Sequence, residues 1–150
     1  IEYMDVGGAT LWSREQVFSR AEILARLAPV EPIANDGWAP AERFRLRDGR
    51  TFGVIASTTA PFCRTCDRAR LTADGMFFTC LYARTGTDLK APLRAAASPA
   101  DLEGLVRGVW SARSDRGAEA RLALNELRAP LMRHDELNDH PHLEMHTRGG

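Results

Sequence analysis

The sequence has little cysteine, almost no lysine and no long hydrophobic run, and the first and last of these shortages each remove a class of function. Three cysteines in 150 residues is an odd and small number, which argues against the even-numbered disulfide framework of a secreted mini-protein. No apolar stretch approaches the roughly 20 residues that cross a bilayer, and no basic-then-apolar leader opens the chain, so no membrane partner is expected. Net charge is also absent: 20 basic side chains balance 20 acidic ones. Whole-molecule electrostatics therefore give no reason to expect nucleic acid or an anionic surface as a partner. Lys90 is the sole lysine, an arginine bias that composition alone does not tie to function. The chain begins with Ile1 inside a strand-like run, Ile1–Val6, which suggests a fragment of something longer.

What is present is enough for a folded core. Hydrophobic residues make up 44% and charged residues 27%, an ordinary globular balance. Ile1–Val6 reads as a buried strand closed by Gly7-Gly8. Ser19 and Glu22 have capping-box spacing, and Ile23, Leu24 and Leu27 share a face, so a short helix runs from there to about Pro29. The stretch Pro29–Pro40 holds three prolines and no clear period and reads as a connector between subdomains. Two Asp-Gly pairs, Asp48-Gly49 and Asp74-Gly75, lie between β-rich runs and predict two antiparallel hairpins. Ser98-Pro99 predicts a helix start, and Leu102, Leu105, Val106, Val109 and Trp110 form its apolar stripe. A second helix is expected from about Glu119 to Leu127. From Arg128 onward the chain turns polar and carries four histidines.

All three cysteines fall in one short stretch: Cys63-Arg64-Thr65-Cys66, thirteen residues, then Cys80. A CxxC turn points two sulfurs at one centre, and the Asp74-Gly75 hairpin is expected to return Cys80 towards it on its second strand. A redox dithiol would use Cys63 and Cys66 alone, but such a pair normally sits between a strand and a helix. A structural zinc would take four ligands, the fourth from His134, His140, His142 or His146. A cubane cluster with three thiolates leaves one iron open. Three unrelated buried cysteines is the bland alternative. Spacing does not separate zinc from iron–sulfur. Arg68 and Arg70, on one side of an extended segment, form a pair of guanidiniums able to clamp an anion, although a solvated strand face paired with Asp67 or Asp74 would use the same residues.

The run Phe62-Cys63-Arg64-Thr65-Cys66-Asp67-Arg68-Ala69-Arg70-Leu71-Thr72-Ala73-Asp74-Gly75, followed by Cys80-Leu81-Tyr82-Ala83, resembles the C-terminal cluster segment of the radical-SAM GTP 3′,8-cyclases. These enzymes begin molybdenum-cofactor (molybdopterin) biosynthesis. Ile1–Gly7 resembles the last barrel strand of the same family, and Leu89–Arg94, the Trp110 helix and Gly149-Gly150 also fit. The resemblance implies an α/β fold: residues 1–35 as the last strand and helix of an incomplete TIM-type barrel, and residues 36–150 as a C-terminal α+β iron–sulfur domain with antiparallel hairpins.

It also implies roles. Cys63, Cys66 and Cys80 would bind a 4Fe–4S cluster whose open iron contacts the guanine of GTP, and Arg68, Ala69 and Arg70 would bind GTP. Met4 would lie against S-adenosylmethionine, where the residues alone read equally well as a core methionine, and Gly149-Gly150 would reach into the active site in a catalytic role. The implied reaction is a lyase step converting GTP to (8S)-3′,8-cyclo-7,8-dihydroguanosine 5′-triphosphate in the cytoplasm. Family members carry a second 4Fe–4S cluster on an N-terminal CxxxCxxC motif, where S-adenosylmethionine is cleaved. This sequence has no cysteines beyond the three, so the chain is expected to be inactive by itself and to have the N-terminal radical-SAM barrel as its partner, with a homodimer left open. The competing reading is a stand-alone zinc- or cluster-binding module that recognises a nucleotide or a protein without catalysis.

Overall fold

A computed structural model describes residues 1–35, 37 and 39–148. The chain is mixed α/β with antiparallel sheets and divides into two compact units. The first holds Ile1–Asp5, Leu11–Asp67 and Ala118–Pro130; the second holds Val6–Thr10, Arg68–Gly117 and the chain from Leu131 onward.

In the first unit, helix α1 spans Arg20–Leu27. It starts where the sequence says it must: Glu22 N–H donates to Ser19 Oγ at 3.3 Å, and Ser19 N–H donates back to the Glu22 carboxylate at 2.8 Å. A three-stranded sheet follows, β1 (Val30–Ile33), β2 (Glu42–Leu46) and β3 (Thr51–Val54), in that spatial order and antiparallel throughout. The Asp48-Gly49 turn joins β2 to β3 as expected, with Gly49 at φ +86°, a left-handed conformation that glycine adopts without penalty. Register places Phe44 opposite Phe52, with ring centroids 5.5 Å apart. Phe44, Val54 and Ala56 form the core, covered by Ile23 and Leu24 of α1 and by Val30 and Phe52. Arg20 fastens α1 to β2 through a two-pronged ion pair with Glu42, at 2.6 and 2.9 Å.

β1 lies inside the stretch expected to be a connector. Its Pro32 hides the strand, because proline lacks the ladder donor and reads as a breaker; the strand sits at a sheet edge, where proline is tolerated. The expected strand over Ile1–Val6 belongs to neither sheet. Its polar backbone is satisfied differently: Glu2 N–H donates to Ile55 O at 3.0 Å, and Tyr3 O accepts from Trp12 Nε1 and Thr58 Oγ1.

The second unit is built on β4 (Arg70–Leu71), β5 (Met76–Phe78) and β6 (Thr87–Asp88), again antiparallel in sequence order. The Asp74-Gly75 turn sits between β4 and β5, with Gly75 at φ +89°. Thr72 closes it from both sides, its N–H donating to Met76 O and its hydroxyl donating to Asp74 while accepting from Met76 N–H. Helices α2 (Lys90–Arg94) and α3 (Pro99–Ser111) come next, and α3 opens with Ser98 as N-cap and Asp101 completing the capping box. Its five stripe residues are the half-buried positions of the helix, and none is fully buried. Helix α4 covers Gly117–Leu122, shorter than the span expected, and a single turn follows at Asn125–Leu127; from Ala118 to Pro130 the chain belongs to the first unit. The tail is not merely polar. Helix α5 (His134–Asp139) and its flanks bury Met132, Leu137 and Leu143 in a small core of their own. Among the described residues no helix is long and apolar enough to cross a membrane.

Candidate functional site

The CxxC segment is one tight turn. Residues Cys63–Thr65 form a single 3-10 turn, closed by Thr65 N–H to Phe62 O at 3.2 Å and Cys66 N–H to Cys63 O at 3.3 Å. The residues leading into it are held by a buried carboxylate. Glu2 accepts from Thr58 N–H at 2.9 Å, Thr59 N–H at 2.8 Å, the Thr59 hydroxyl at 2.5 Å and Arg20 N–H at 2.8 Å. With those four donors the carboxylate is well satisfied in a site only 2% exposed.

Beside it lies a second buried acid. Asp5 has no exposed surface and takes Arg128 through two hydrogen bonds, at 2.7 and 2.9 Å, and Arg121 through a third at 2.8 Å. Burial works against its charged form, but the hydrogen bonds and charges of Arg128 and Arg121 outweigh it and hold its pKa below the ordinary aspartate value. Arg128 also donates to Thr58 O at 2.8 Å and stacks over the Trp12 ring at 5.1 Å; Arg121 further bonds Ala129 O. The two acids thus fix Ile1–Asp5, and with it half-buried Met4, to the Thr58–Thr59 segment upstream of Cys63. Neither acid stood out as functional in the sequence. Two carboxylates in a run expected to be buried were the available signal, since a buried charge demands partners.

A cavity of about 270 Å³ opens in this unit, walled by Trp12, Arg14, Glu22, Thr58, Thr59 and Arg128 among others. None of the site residues expected from sequence lines it.

In the second unit, exposed Arg68 and Ala69 lead into β4, and Arg70 opens it, half-buried and opposite Phe78. Asp74, a candidate partner for these arginines, is engaged in its own turn, and the hydrogen bond from Thr72 lowers its pKa. The expectation that Cys80 rides on the returning strand needs correction: β5 ends at Phe78, and Cys80 sits in the bend beyond it, where Ala83 N–H returns to Cys80 O at 3.2 Å. The strand stops because the chain bends at Thr79, whose hydroxyl donates to Asp115 at 3.1 Å.

Cys63 and Cys66 therefore share one turn in the first unit, and Cys80, Arg68 and Arg70 belong to the second. All three cysteines are thiols rather than disulfide halves, and each is half-buried. Such donors suit an iron–sulfur cluster or zinc. Among the described residues no group of three or more His, Cys, Asp or Glu side chains is already drawn together as a metal-holding set. The histidines have other company: His142 stacks against Phe78 at 6.4 Å and edges His140 at 5.7 Å, while His146 faces Glu144 at 3.2 Å. Gly149 and Gly150 lie outside the described residues.

Residues 1–119 match the family described as Molybdenum Cofactor Synthesis C. The chain belongs to that family. The match takes in Met4, the CxxC turn, the Arg68–Arg70 segment and Cys80, and stops before the histidine-bearing tail. Curated relatives extend it over the whole chain. GTP 3′,8-cyclase 1 of Mycobacterium tuberculosis (strain ATCC 25618 / H37Rv) is 54% identical over 154 residues, covering 100% of this chain and 43% of the relative. GTP 3′,8-cyclase 3 of Mycobacterium bovis (strain ATCC BAA-935 / AF2122/97) is 51% identical over 154 residues, covering 100% of this chain and 40% of the relative. GTP 3′,8-cyclase of Synechococcus sp. (strain WH7803) is 46% identical over 125 residues, covering 81% of this chain and 35% of the relative. This Molybdenum Cofactor Synthesis C chain thus spans less than half the length of these curated relatives.

Proposed function

We propose that this chain is the substrate-holding C-terminal part of a cytoplasmic radical-SAM GTP 3′,8-cyclase. The observation that carries the reading is 54% identity to a GTP 3′,8-cyclase along the full chain, with Cys63, Cys66 and Cys80 present as half-buried thiols. In this reading residues 1–35 close a barrel supplied by the N-terminal part, and residues 36–150 form the cluster and GTP domain. Cys63, Cys66 and Cys80 would hold a 4Fe–4S cluster. When bound, that cluster offers an iron with an open coordination position to the guanine base.

The chain's own residues do the rest by positioning. Arg68 and Arg70 bind the charged oxygens of GTP, where paired guanidiniums give charge-assisted, directional hydrogen bonds. Ala69 between them keeps the segment narrow. Met4 packs against S-adenosylmethionine, and the Glu2 and Asp5 networks on either side of it hold its backbone in place. The family resemblance gives Gly149 and Gly150 a catalytic role. Fixing C3′ and C8 of GTP within reach of each other removes much of the entropy cost of closing the new ring.

Calorimetric GTP titration of the iron-reconstituted chain tests this. Arg68→Ala and Arg70→Ala should each weaken binding by about tenfold or more, the loss of a charge-assisted hydrogen bond, and should flatten its dependence on salt. Unchanged affinity in both variants would remove the anion-binding role.

A further inference from the structure

We propose that residues 113–117 are a positioning device for the Cys80 sulfur, with Gly117 and Asp115 as its working parts. The proposal rests on the reading that Cys80 is a cluster ligand. A Cβ built on Gly117 would lie 2.9 Å from Cys80 Sγ, 2.5 Å from Tyr82 Cβ and 3.1 Å from Tyr82 Cγ. Real Cβ atoms do not approach that closely, so any side chain at 117 must push the Cys80–Tyr82 turn away. The demand for glycine does not come from the backbone: Gly117 is not among the positive-φ glycines. It comes from contact with the sulfur and the residue two places on.

The other half of the device acts on the residue before Cys80. One Asp115 carboxylate oxygen accepts from the Thr79 hydroxyl at 3.1 Å, and the other accepts from Arg113 Nε at 3.2 Å. The Arg113 guanidinium in turn stacks on Trp110, in the last turn of α3, at 4.8 Å. A continuous chain of contacts, Trp110–Arg113–Asp115–Thr79, therefore ties the end of the 13-residue helix α3 to the bend that carries Cys80. Gly117 leaves the room that the Cys80 sulfur and Tyr82 occupy, while Asp115 holds the residue before the sulfur. Partners hydrogen-bonded to a metal ligand set its orientation and commonly alter metal affinity by about 10–100-fold when lost, and a hold on the residue next to the ligand acts in the same direction.

The test compares anaerobically iron-reconstituted wild type, Gly117→Ala, Thr79→Val, Thr79→Ser and Cys80→Ala. The readouts are iron release to a chelator and the electron paramagnetic resonance spectrum of the reduced cluster. Gly117→Ala and Thr79→Val should release iron about tenfold faster or more and show shifted g-values, while Thr79→Ser, which keeps the hydroxyl, should behave as wild type. Should circular dichroism show Gly117→Ala to be unfolded, Thr79→Val and its serine rescue decide the matter. Wild-type spectra and release rates in Thr79→Val, with iron lost from Cys80→Ala, would overturn the positioning role and leave the cluster reading standing. Wild-type iron retention in Cys80→Ala would overturn the cluster reading itself.

Discussion

Two carboxylates that carry no motif hold the segment around Met4 in place. Glu2 gathers three backbone donors and a hydroxyl, and Asp5 gathers two guanidiniums. Asp5→Ala breaks a buried ion pair by removing the carboxylate that Arg128, only 4% exposed, binds through two hydrogen bonds, and should cost about 3–5 kcal/mol in denaturant unfolding. The sign of the pH effect follows from the lowered pKa of Asp5. Its contribution is complete above the ordinary aspartate value of 3.8 and is lost as pH falls from there through the lower native value. The stability gap between wild type and Asp5→Ala should therefore hold at neutral pH and narrow below about 3.8; a gap independent of pH would contradict the ionised pair. These residues were legible in the sequence only as acids in an apolar run. Their partners lie far along the chain, Arg128 being 123 residues from Asp5, and no local pattern announces such a pairing.

Elements whose signals are local came through well. Ser19 with Glu22 and Ser98 with Pro99 each start a helix where the sequence says, and both of these Asp-Gly turns sit between paired strands. Ser98→Ala should lower stability by about 1 kcal/mol, the usual value of a capping hydroxyl, and Ser98→Asp should restore most of it; no change in the alanine variant would mean the cap is not formed in solution. Elements defined by distant partners were less visible. β1 is concealed by Pro32 and exists because β2 pairs with it. Ile1–Val6 has strand composition but finds side-chain partners in place of a ladder. The tail core of Met132, Leu137 and Leu143 has no regular spacing, since the short turns between these residues, not a helix period, bring them together. The candidate site divides the same way. Its cysteines and arginines are legible as a motif, whereas Asp115 and Gly117, their support at Cys80, emerge only once the chain is folded.

At the scale of the whole molecule, the chain spans 43% of a curated GTP 3′,8-cyclase and holds three cysteines in total. On the function proposed above, this chain reduced by itself should produce no 5′-deoxyadenosine from S-adenosylmethionine; turnover by this chain would contradict that proposal. The most direct measurement of the central claim is anaerobic reconstitution with iron and sulfide, followed by GTP titration of the visible spectrum. The expected result is about four irons and four sulfides per chain, loss of most of them on replacing Cys63, Cys66 or Cys80 with alanine, and a visible absorption that GTP perturbs. Stoichiometric zinc in an anaerobic preparation, with no iron uptake and no effect of GTP, would contradict it.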